Sequence, residues 1–510
     1  MKKFRPLLLI LSVLCLSHVT NAQDTVLQVT YTGRLDSIES RILNQRRYIQ
    51  VFMPANYKQG SREKYDVLYV LDGGNWNTGL VERTQRFLEA EGYTPPTLIV
   101  SVIGIDRNRE LTPTQLDNWK YSGGGDDFLG FIKNELIPHI DRMYPSNGDN
   151  TLWGHSLSGM FAVYAMLKEP TLFKSIIAAD PSIWWDRSLV AKIASERLSS
   201  LAGKNTTLYV SARAGSVMHE MRIDTLETVL KQHAPSDLSW KVAVYPEESH
   251  SSIRLKTTYD GLKFAYAGLT SNLEFHPMNG IVLKNKPIEL WYFEDTTRVR
   301  YTLDGSLPQI TSGKVQPSIT LSGPGTVTYR RFSTRSTHDK ITTGNFVSGE
   351  VLRPTSKPKA VKPGGFQYSY YEGDFDAWPD LTNVKPDKTG IVSSGDFDID
   401  KLPRKKNYAL VVNGFIESRE EGYYLILLDA DKDTKLYLGG KQLIQWDGNY
   451  QRRSNSFIVP LAKGFYPLRI EYLHKNADFK LMMSYLTPST MKTLNPQPVP
   501  AQLQYSEVKK

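Results

Sequence analysis

The chain has 510 residues, of which 40% are hydrophobic and 23% are charged. This length exceeds what one hydrophobic core supports and predicts roughly two to four domains, and the composition excludes a wholly disordered chain. The only cysteine, Cys15, falls in a predicted leader, which excludes disulfides, cysteine-ligated zinc and thiol catalysis in the mature chain. The net charge of +9 is spread along the chain, which argues against nucleic-acid binding.

The first residues, MKKFRPLLLILSVLCLSHVTNAQ, combine a basic start, an apolar run and small residues at Thr20 and Ala22. This pattern predicts a cleaved secretory signal over residues 1–22, because the apolar run is too short to span a bilayer. Cleavage removes three basic residues and leaves a charge of +6. No later segment is apolar enough for a transmembrane helix, so we expect a periplasmic or secreted protein.

Residues 23–268 alternate short apolar runs with helical patterns. RRYIQVFMP has the period-two pattern of a strand. The continuous apolar runs suited to strands buried on both faces are DVLYVLD, TLIVSVIGI, NTLWG, KSIIAAD, NTTLYVS and WKVAVYP. Between them, DDFLGFIKNELIPHIDRMY places apolar residues at three- and four-residue steps, as in an amphipathic helix. The repeated order predicts a mostly parallel sheet with helices on both faces.

The pattern changes after residue 268. Residues 270–352 contain short alternating strands with Asp-Gly and Pro-Gly turns, which predict a small β-sandwich. The proline- and lysine-rich segment 353–365 is typical of a linker, and residues 366–488 predict a second all-β domain. We expect residues 489–510 to form a flexible tail.

The stretch TLWGHSLSGM places Ser156 between a buried strand run and the helix pattern SLSGMFAVYAML. Gly-x-Ser-x-Gly at such a strand-to-helix turn presents a nucleophilic serine, although Ser158 stands here where the last glycine usually lies. The motif alone is weak, but its placement is specific. The alternative is a serine in a glycine-rich bend without a catalytic role.

Serine needs a base and an acid that orients the base. His250, in YPEESHSSI, follows the last strand run and precedes the final helix, where the base of such a fold lies. The acid is less defined: Glu220 is favoured, Asp224 falls inside a predicted helix, and Asp180 and Asp186 are further alternatives. Ser-His catalysis without a third member also remains open.

The oxyanion that forms during acyl transfer needs N–H donors. We expect one from Leu157 and one from Gly73 or Gly74, in the glycine-rich loop DGGNW after the strand run DVLYVLD.

Four further residues are candidates for substrate binding. Asn75 and Trp76 complete the DGGNW loop, and Trp184 and Trp185 could stack on a sugar or an aryl acid. Core packing is an equal alternative for either member of the tryptophan pair.

Several separated motifs resemble one family. VLYVLDGGNW, GIDRNRELTP, GGGDDFLGFIKNELIPHID, LWGHSLSGMFAVYAM, DPSIWWD and ESH are similar to the esterase family of α/β-hydrolases, which includes siderophore and feruloyl-type esterases. The resemblance covers residues 26–267. It implies an α/β-hydrolase fold and carboxylic-ester hydrolysis, with Ser156 as nucleophile and His250 as base and without a cofactor.

The later regions resemble two all-β modules. VRYTLDGSLP is similar to the small β-sandwich at the C-terminus of chitobiases. YYEGDFDAWPDL, GYYLILLDADKDTKLYLGGKQLI and LAKGFYPLRIEYL resemble a PA14 domain, a β-barrel often attached to glycan-acting enzymes and adhesins. Asp429, Asp431 and Asp433 are spaced like calcium ligands, but Gly440 stands where an EF-hand glutamate belongs, so no metal is predicted.

Together these features predict an exported serine esterase. The appended domains favour an ester linked to carbohydrate, feruloyl or acetyl, with a carbohydrate as a possible ligand of the PA14-like domain. A siderophore trilactone esterase is the alternative substrate class. An inactive hydrolase domain in a carbohydrate-binding or adhesive protein is the alternative function.

Overall fold

A computed structural model describes residues 33–74, 76–270, 273–293, 295–356, 360–430, 433–445, 455–475 and 481–507. The predicted signal over residues 1–22 and the candidate Asn75 lie outside the described residues. Within the described ranges, no helix combines the length and the apolar character needed to cross a bilayer.

The first unit is an α/β structure. Its strands are β1 (Arg34–Ser40), β2 (Gln45–Phe52), β3 (Tyr65–Gly73), β4 (Thr97–Ile103), β5 (Ser146–His155), β6 (Ser175–Ala179), β7 (Thr207–Ala212) and β8 (Ser239–Val244). Its helices are α1 (Asn77–Ala90), α2 (Arg107–Glu110), α3 (Gly125–Phe131), α4 (Ile137–Met143), α5 (Leu157–Lys168), α6 (Trp185–Arg197), α7 (Ser216–Glu220), α8 (Ile223–His233) and α9 (Ile253–Ala265). A π-helical turn, Ile132–Leu136, joins α3 to α4.

The eight strands form one sheet in the order β1-β2-β4-β3-β5-β6-β7-β8. The first two strands run antiparallel, and all pairs from β4 to β8 are parallel. Apolar side chains are buried on both faces of the sheet, beneath α1 and α9 on one face and α5, α6 and α8 on the other. This confirms the predicted α/β-hydrolase fold. The carboxyl ends of the parallel strands therefore meet along one edge, where ligands bind in such sheets.

The remainder of the chain is all β. The middle region holds β9 (Asn279–Leu283), β10 (Ile288–Trp291), β11 (Val299–Thr302), β12 (Gly313–Lys314), β13 (Ser318–Leu321), β14 (Gly325–Arg331) and β15 (Lys340–Gly349). The last region holds β16 (Val361–Pro363), β17 (Phe366–Glu372), β18 (Lys388–Val392), β19 (Tyr408–Ser418), β20 (Gly422–Asp429), β21 (Lys435–Leu438), β22 (Lys441–Gln445), β23 (Asn455–Leu461), β24 (Gly464–His474), β25 (Met482–Leu486), β26 (Gln497–Pro498) and β27 (Gln504–Glu507).

The two all-β regions share one sheet. Strand β9 pairs in parallel with β15 of the middle region and with β23 of the last region, which makes a nine-stranded sheet. Gly280 lies at this junction, where a Cβ would stand 2.2 Å from the Ile458 side chain. The middle core also includes Leu425, Ile458 and Leu486. The two regions are therefore joined through backbone pairing and a common core.

The expectations for the linker and the tail were wrong in part. Strand β27, in the predicted flexible tail 489–510, pairs with β19 and with β16, which lies in the predicted linker 353–365. Tyr505 is buried in this pairing. Strand β16 lies at the edge of its sheet and contains Pro363, and β27 is only four residues long, so neither strand gives a continuous apolar run in the sequence.

The middle region also docks on the α/β unit. Arg335 lies in the β14–β15 connection, and its buried guanidinium pairs with the buried carboxylate of Asp66 in β3. The same guanidinium donates to Ser175 Oγ at 3.0 Å and lies 4.1 Å from the ring centroid of Tyr266. His338 Nε2 lies 3.1 Å from Asp66 Oδ2. These contacts attach the all-β unit to the amino ends of the parallel strands.

The Asp66 carboxylate is ionised in this buried cluster. Burial alone would raise its pKa, but the hydrogen bond from His338 and the charge of Arg335 outweigh burial and lower the pKa to about 2. A carboxylate whose pKa is lower in the folded state stabilises the fold above its unfolded pKa of about 3.9. This contribution is lost as the pH falls toward 2.

We predict that Arg335→Ala lowers the free energy of unfolding by about 3–5 kcal/mol at pH 7, because it leaves the buried Asp66 carboxylate without its cation. Urea unfolding should show this loss at pH 7 and a smaller loss as the pH falls below about 4. The exposed Arg62 provides the matched control Arg62→Ala, which should leave the unfolding free energy unchanged. Equal stability of Arg335→Ala and wild type at pH 7 would contradict the prediction.

Candidate active site

A strained turn positions Ser156. The residue follows β5 directly and precedes α5, and its backbone takes φ 62° and ψ −118°. Gly154 allows the turn, because a Cβ at that position would lie 2.1 Å from the backbone oxygen of Ser158. The turn lifts the Ser156 side chain above the carboxyl edge of the sheet, while α5 begins behind it. This is the strand-turn-helix geometry of a nucleophile elbow.

Ser158, which replaces the usual glycine, braces this turn. Its buried hydroxyl accepts a hydrogen bond from the His155 N–H at 2.8 Å and donates to the His155 carbonyl at 2.9 Å. The substitution therefore adds two hydrogen bonds across the bend without blocking it. Ser158 is fully buried, whereas Ser156 is only partly buried and is therefore the accessible serine of the motif.

His250 lies after β8 and binds an aspartate. Its Nδ1 lies 2.6 Å from Oδ2 of Asp180, which directly follows β6. A carboxylate only accepts hydrogen bonds, so this contact places the proton of the neutral imidazole on Nδ1 and leaves Nε2 as an acceptor. Asp180 is fully buried, whereas the imidazole is 39% exposed. The pair has the arrangement of a base and the acid that orients it.

The prediction that Glu220 supplies the acid was wrong. Glu220 ends the short helix α7 and is exposed, and Asp224 binds His219 at 2.7 Å. Glu220 lies beyond the end of β7, and the residue that directly follows this strand is Arg213. Asp180 was only an alternative, although it is the last residue of the buried run KSIIAAD. The sequence could have indicated Asp180 as the acid, because the carboxyl ends of neighbouring parallel strands lie at the same edge of the sheet.

Arg213 binds the same carboxylate oxygen as His250. Its Nε donates to Asp180 Oδ2 at 2.6 Å, and Oδ1 has no hydrogen-bond partner among the described residues. Burial raises the pKa of Asp180, but the hydrogen bonds from His250 and Arg213 outweigh burial and hold the pKa below its ordinary value. Arg213 thus helps to keep the buried Asp180 ionised.

His155 contacts His250 from the opposite side. Its Nε2 lies 2.6 Å from the His250 carbonyl oxygen, and the two ring centroids are 4.4 Å apart. Burial is the main reason that the pKa of His155 falls to about 3, followed by the nearby charge of His250. A neutral His155 therefore donates from Nε2 to this carbonyl. The contact fixes the backbone that carries the imidazole.

Ser156 and His250 line one open cleft of about 620 Å³. The Ser156 hydroxyl lies 3.2 Å from Ser182 Oγ, and no hydrogen bond between the described Ser156 and His250 side chains is present. Transfer of a proton between them requires the hydroxyl to turn from Ser182 toward the imidazole. Hydrogen bonds of this kind often become short only when substrate binds.

The three predicted oxyanion donors differ in whether their N–H groups are already hydrogen-bonded. Leu157 is the first residue of α5, and the N–H at this position of a helix has no acceptor within the helix. Gly73 and Gly74 both line the cleft, but the Gly74 N–H donates to Thr78 Oγ1 at 3.0 Å. The Gly74 N–H is therefore already occupied. Leu157 and Gly73 remain candidates for the oxyanion hole.

The tryptophans separate into core and surface residues. Trp185 is fully buried and donates from Nε1 to Thr114 Oγ1 at 3.1 Å, so its predicted role in substrate binding was wrong. Trp184 packs against Trp185 and is not among the described residues that line the cleft. Trp76 lines the cleft and is 82% exposed. An aryl or sugar ring could stack on Trp76.

Two arginines also line the cleft. Arg107 forms an ion pair with Asp72, whose pKa is raised mainly by burial against the lowering effect of Arg107. Arg254 donates to Asn77 Oδ1 at 2.7 Å and, within the described ranges, has no carboxylate partner. The Arg254 guanidinium therefore retains an uncompensated positive charge in the cleft.

Among the described residues, no group of three or more histidine, cysteine or acidic side chains is placed to hold a metal ion. Of the three spaced aspartates in the last region, Asp431 lies outside the described residues.

Known protein families match two separate regions of the chain, one in the α/β unit and one in the last all-β region. Residues 40–251 match the esterase family model, described as "Putative esterase", and residues 362–498 match the PA14 domain. The chain therefore carries an esterase-family region followed by a PA14 domain, as the sequence motifs predicted.

Similar curated proteins are siderophore esterases. The chain is 26% identical to the ferri-bacillibactin esterase BesA of Bacillus subtilis, over 34% of this chain and 67% of the relative. It is 32% identical to the siderophore triacetylfusarinine C esterase of Aspergillus fumigatus, over 27% of this chain and 52% of the relative. The alignments thus span between about half and two thirds of these relatives.

Among solved structures, an IroE-like serine hydrolase from Shewanella oneidensis aligns with a TM-score of 0.42 and 28% identity, over 45% of this chain and 79% of that chain. The family match and the esterase relatives support a carboxylic-ester hydrolase.

We predict that Asp180→Asn lowers kcat for an aryl ester by about 10⁴-fold, because the amide no longer favours the imidazole tautomer that accepts a proton at Nε2. Glu220→Gln is the matched control and should retain wild-type kcat. Steady-state kinetics with p-nitrophenyl acetate measure both. The reverse result, with activity lost in Glu220→Gln and kept in Asp180→Asn, would contradict the assignment.

We predict that, as the pH is lowered, the variant Arg213→Gln loses activity at a higher pH than wild type does. Without the guanidinium, the pKa of Asp180 rises, so Asp180 is protonated at a higher pH and no longer orients His250. The pH profile of kcat/KM should lose activity at a higher pH than in wild type, whereas Arg213→Lys should lie closer to wild type. Superimposable profiles of Arg213→Gln and wild type would show that Arg213 does not support the Asp180 charge.

Proposed function

We propose that this esterase-family protein with an appended PA14 domain hydrolyses carboxylic esters through an acyl-enzyme on Ser156. The observation that carries the proposal is the convergence of three strand ends. The turn after β5 presents Ser156, Asp180 follows β6, and His250 lies beyond β8 in contact with Asp180. A partly buried serine and an aspartate-bound imidazole that line one cleft have the chemistry of acyl transfer.

In the proposed reaction, the Ser156 hydroxyl attacks the ester carbonyl while His250 Nε2 accepts its proton. The oxygen that becomes negative receives hydrogen bonds from the N–H groups of Leu157 and Gly73. His250 then donates the proton to the departing alcohol, and water releases the acyl group by the same path in reverse. Asp180, held ionised by Arg213, stabilises the imidazolium that forms in each step.

As substrate we propose an ester linked to carbohydrate, with a feruloyl or acetyl acyl group. We also propose that the protein is exported, because its first residues resemble a secretory signal. The joined all-β unit supports this choice, because a PA14 domain on the same chain could hold a glycan near the cleft. The exposed Trp76 could contact an aryl acyl group. This substrate is inferred from the frequent attachment of PA14 domains to glycan-acting proteins.

A siderophore trilactone is the second candidate. The curated relatives that act on siderophores favour it, and so does Arg254, whose uncompensated charge could attract an anionic ligand into the cleft. The two candidates differ in substrate and share the proposed Ser156 chemistry.

A fluorophosphonate probe tests the nucleophile. We predict that wild type is labelled, that Ser156→Ala is not, and that Ser182→Ala remains labelled because Ser182 only hydrogen-bonds the Ser156 side chain. A correctly folded wild type that stays unlabelled would instead support an inactive, carbohydrate-binding protein.

The substrate is tested by comparing kcat/KM for methyl ferulate, acetylated xylan, feruloylated arabinoxylan oligosaccharides and a catecholate trilactone with and without iron. Higher kcat/KM for the glycan-linked esters than for the trilactone supports the first candidate. Preference for the trilactone would replace it with the second.

A further inference from the structure

Asn77 joins two parts of the cleft that lie far apart in the sequence. It is the first residue of α1, it lines the cleft, and it is only 8% exposed. Its Nδ2 donates to the Asp72 carbonyl oxygen at 3.1 Å, and its Oδ1 accepts from Nη1 of Arg254 at 2.7 Å. The Asn77 amide therefore connects the glycine-rich loop after β3 to the start of α9.

The two partners of this amide determine its orientation. A guanidinium only donates hydrogen bonds, so the amide atom that faces Arg254 is the oxygen. A carbonyl oxygen only accepts, so the atom that faces the Asp72 carbonyl is the nitrogen. Exchange of the two amide atoms would place donor against donor and acceptor against acceptor. The Asn77 side chain is therefore held in one orientation.

Helix capping does not explain the presence of Asn77. A polar side chain at the start of a helix commonly accepts a hydrogen bond from a helix N–H. The oxygen of Asn77 instead accepts from Arg254, and within the described part of the chain no helix N–H donates to this side chain. Asparagine is also a poorer helix former than alanine or leucine. The two contacts across the cleft remain as the explanation.

The Asp72 carbonyl belongs to the peptide group that carries the Gly73 N–H, one of the proposed oxyanion donors. A trans peptide group is planar, so its C=O and N–H point in opposite directions. A hydrogen bond that fixes the Asp72 carbonyl therefore also fixes the direction of the Gly73 N–H. Through this peptide, Asn77 controls a donor without contacting the substrate.

The backbone around this peptide needs support from its surroundings. Asp72 has φ 53°, which residues other than glycine rarely adopt. Gly73 packs so closely on β4 that a Cβ would lie 2.1 Å from Ser101 Oγ. An unusual backbone of this kind persists only when neighbouring groups hold it. Arg107 binds the Asp72 carboxylate, and Asn77 binds the Asp72 carbonyl.

The next peptide of the loop is held by other groups. The Gly74 N–H donates to Thr78 Oγ1 at 3.0 Å, and Thr78 Oγ1 lies 2.6 Å from Ser101 Oγ. The Thr78 N–H donates to the Gly74 carbonyl at 3.1 Å. None of these contacts involves the Asn77 side chain. Removal of the Asn77 amide should therefore release the peptide between Asp72 and Gly73 and leave Gly74 in place.

Arg254 connects Asn77 to the segment that carries the base. Its Nε donates to the Ser251 carbonyl oxygen at 2.7 Å, and Ser251 directly follows His250. Within the described ranges, the hydrogen bonds of this guanidinium go to the Ser251 carbonyl and to Asn77 alone. A series of three hydrogen bonds thus links the residue after His250 to the Asp72 carbonyl.

We propose that Asn77 is a positioning residue for ester hydrolysis, which directs the Gly73 N–H toward the oxyanion and holds the loop of residues 72–74 in a fixed position relative to His250. The inference rests on the proposed function of the cleft. The oxyanion exists in the tetrahedral intermediate and not in the bound ester. Loss of the Asn77 contact should therefore lower kcat and leave KM nearly unchanged.

The variant Asn77→Asp separates the two contacts. Its carboxylate still accepts from Arg254 but cannot donate to the Asp72 carbonyl. An acidic residue is favourable at the start of a helix, so this variant should fold. With p-nitrophenyl acetate, an uncharged ester, we expect kcat to fall by about 10- to 100-fold with little change in KM. Asn56→Asp makes the same substitution at an exposed position outside the cleft and should keep wild-type kinetics.

Two further measurements separate positioning from a loss of stability. A phenyl trifluoromethyl ketone adds to a nucleophilic serine and forms an oxyanion, so its affinity should fall by the same factor as kcat/KM in Asn77→Asp. Asn77→Ala loses both contacts and should lose at least as much kcat as Asn77→Asp. Because Arg254 acts on the loop through Asn77, adding Arg254→Ala to Asn77→Ala should lower kcat little further.

The outcomes distinguish this inference from the proposed function. Wild-type kcat in both Asn77→Asp and Asn77→Ala, with an active wild type, would overturn the role of Asn77 and leave the proposed function intact. A higher KM with unchanged kcat would also overturn it, because that result indicates a direct contact with the substrate. A wild type that neither hydrolyses esters nor reacts with a fluorophosphonate would overturn the proposed function, and the role of Asn77 with it.

Discussion

The hydrogen bond between Asp180 and His250 is the contact on which the cleft depends. It joins the end of β6 to the segment between β8 and α9, and it orients an imidazole that would otherwise lie on a partly exposed loop. A buried carboxylate is costly unless its charge is balanced. Here Arg213 supplies the balancing charge, and His155 holds the backbone of His250 from the other side. The site is therefore rigid around the base and open around Ser156.

The all-β unit approaches the sheet from the opposite edge. Arg335 binds Asp66 at the amino ends of the parallel strands, whereas Ser156 and Asp180 lie at the carboxyl ends. Backbone pairing through β9 then connects this anchor to the PA14 region. The orientation of the PA14 region relative to the α/β unit is thus fixed by an ion pair and a continuous sheet rather than by a flexible linker.

The sequence predicted the elements that carry strong local signals. Continuous apolar runs identified β3 to β7, and the strand-turn-helix pattern identified Ser156. Partners that meet only in three dimensions were harder to predict: Glu220 follows the expected strand, but the fold brings Asp180 to His250 from the neighbouring strand. Burial of Trp185 and the pairing of β27 also depend on tertiary contacts that no periodicity records.

Identification of the acylated residue tests the central claim most directly. The protein is mixed with an activated aryl ester, quenched in acid while the acyl-enzyme accumulates, and digested for peptide mass spectrometry. The account predicts that the acyl group is attached to Ser156. An acyl group on Ser158 or Ser182, or a turnover-competent protein in which no serine becomes acylated, would contradict it.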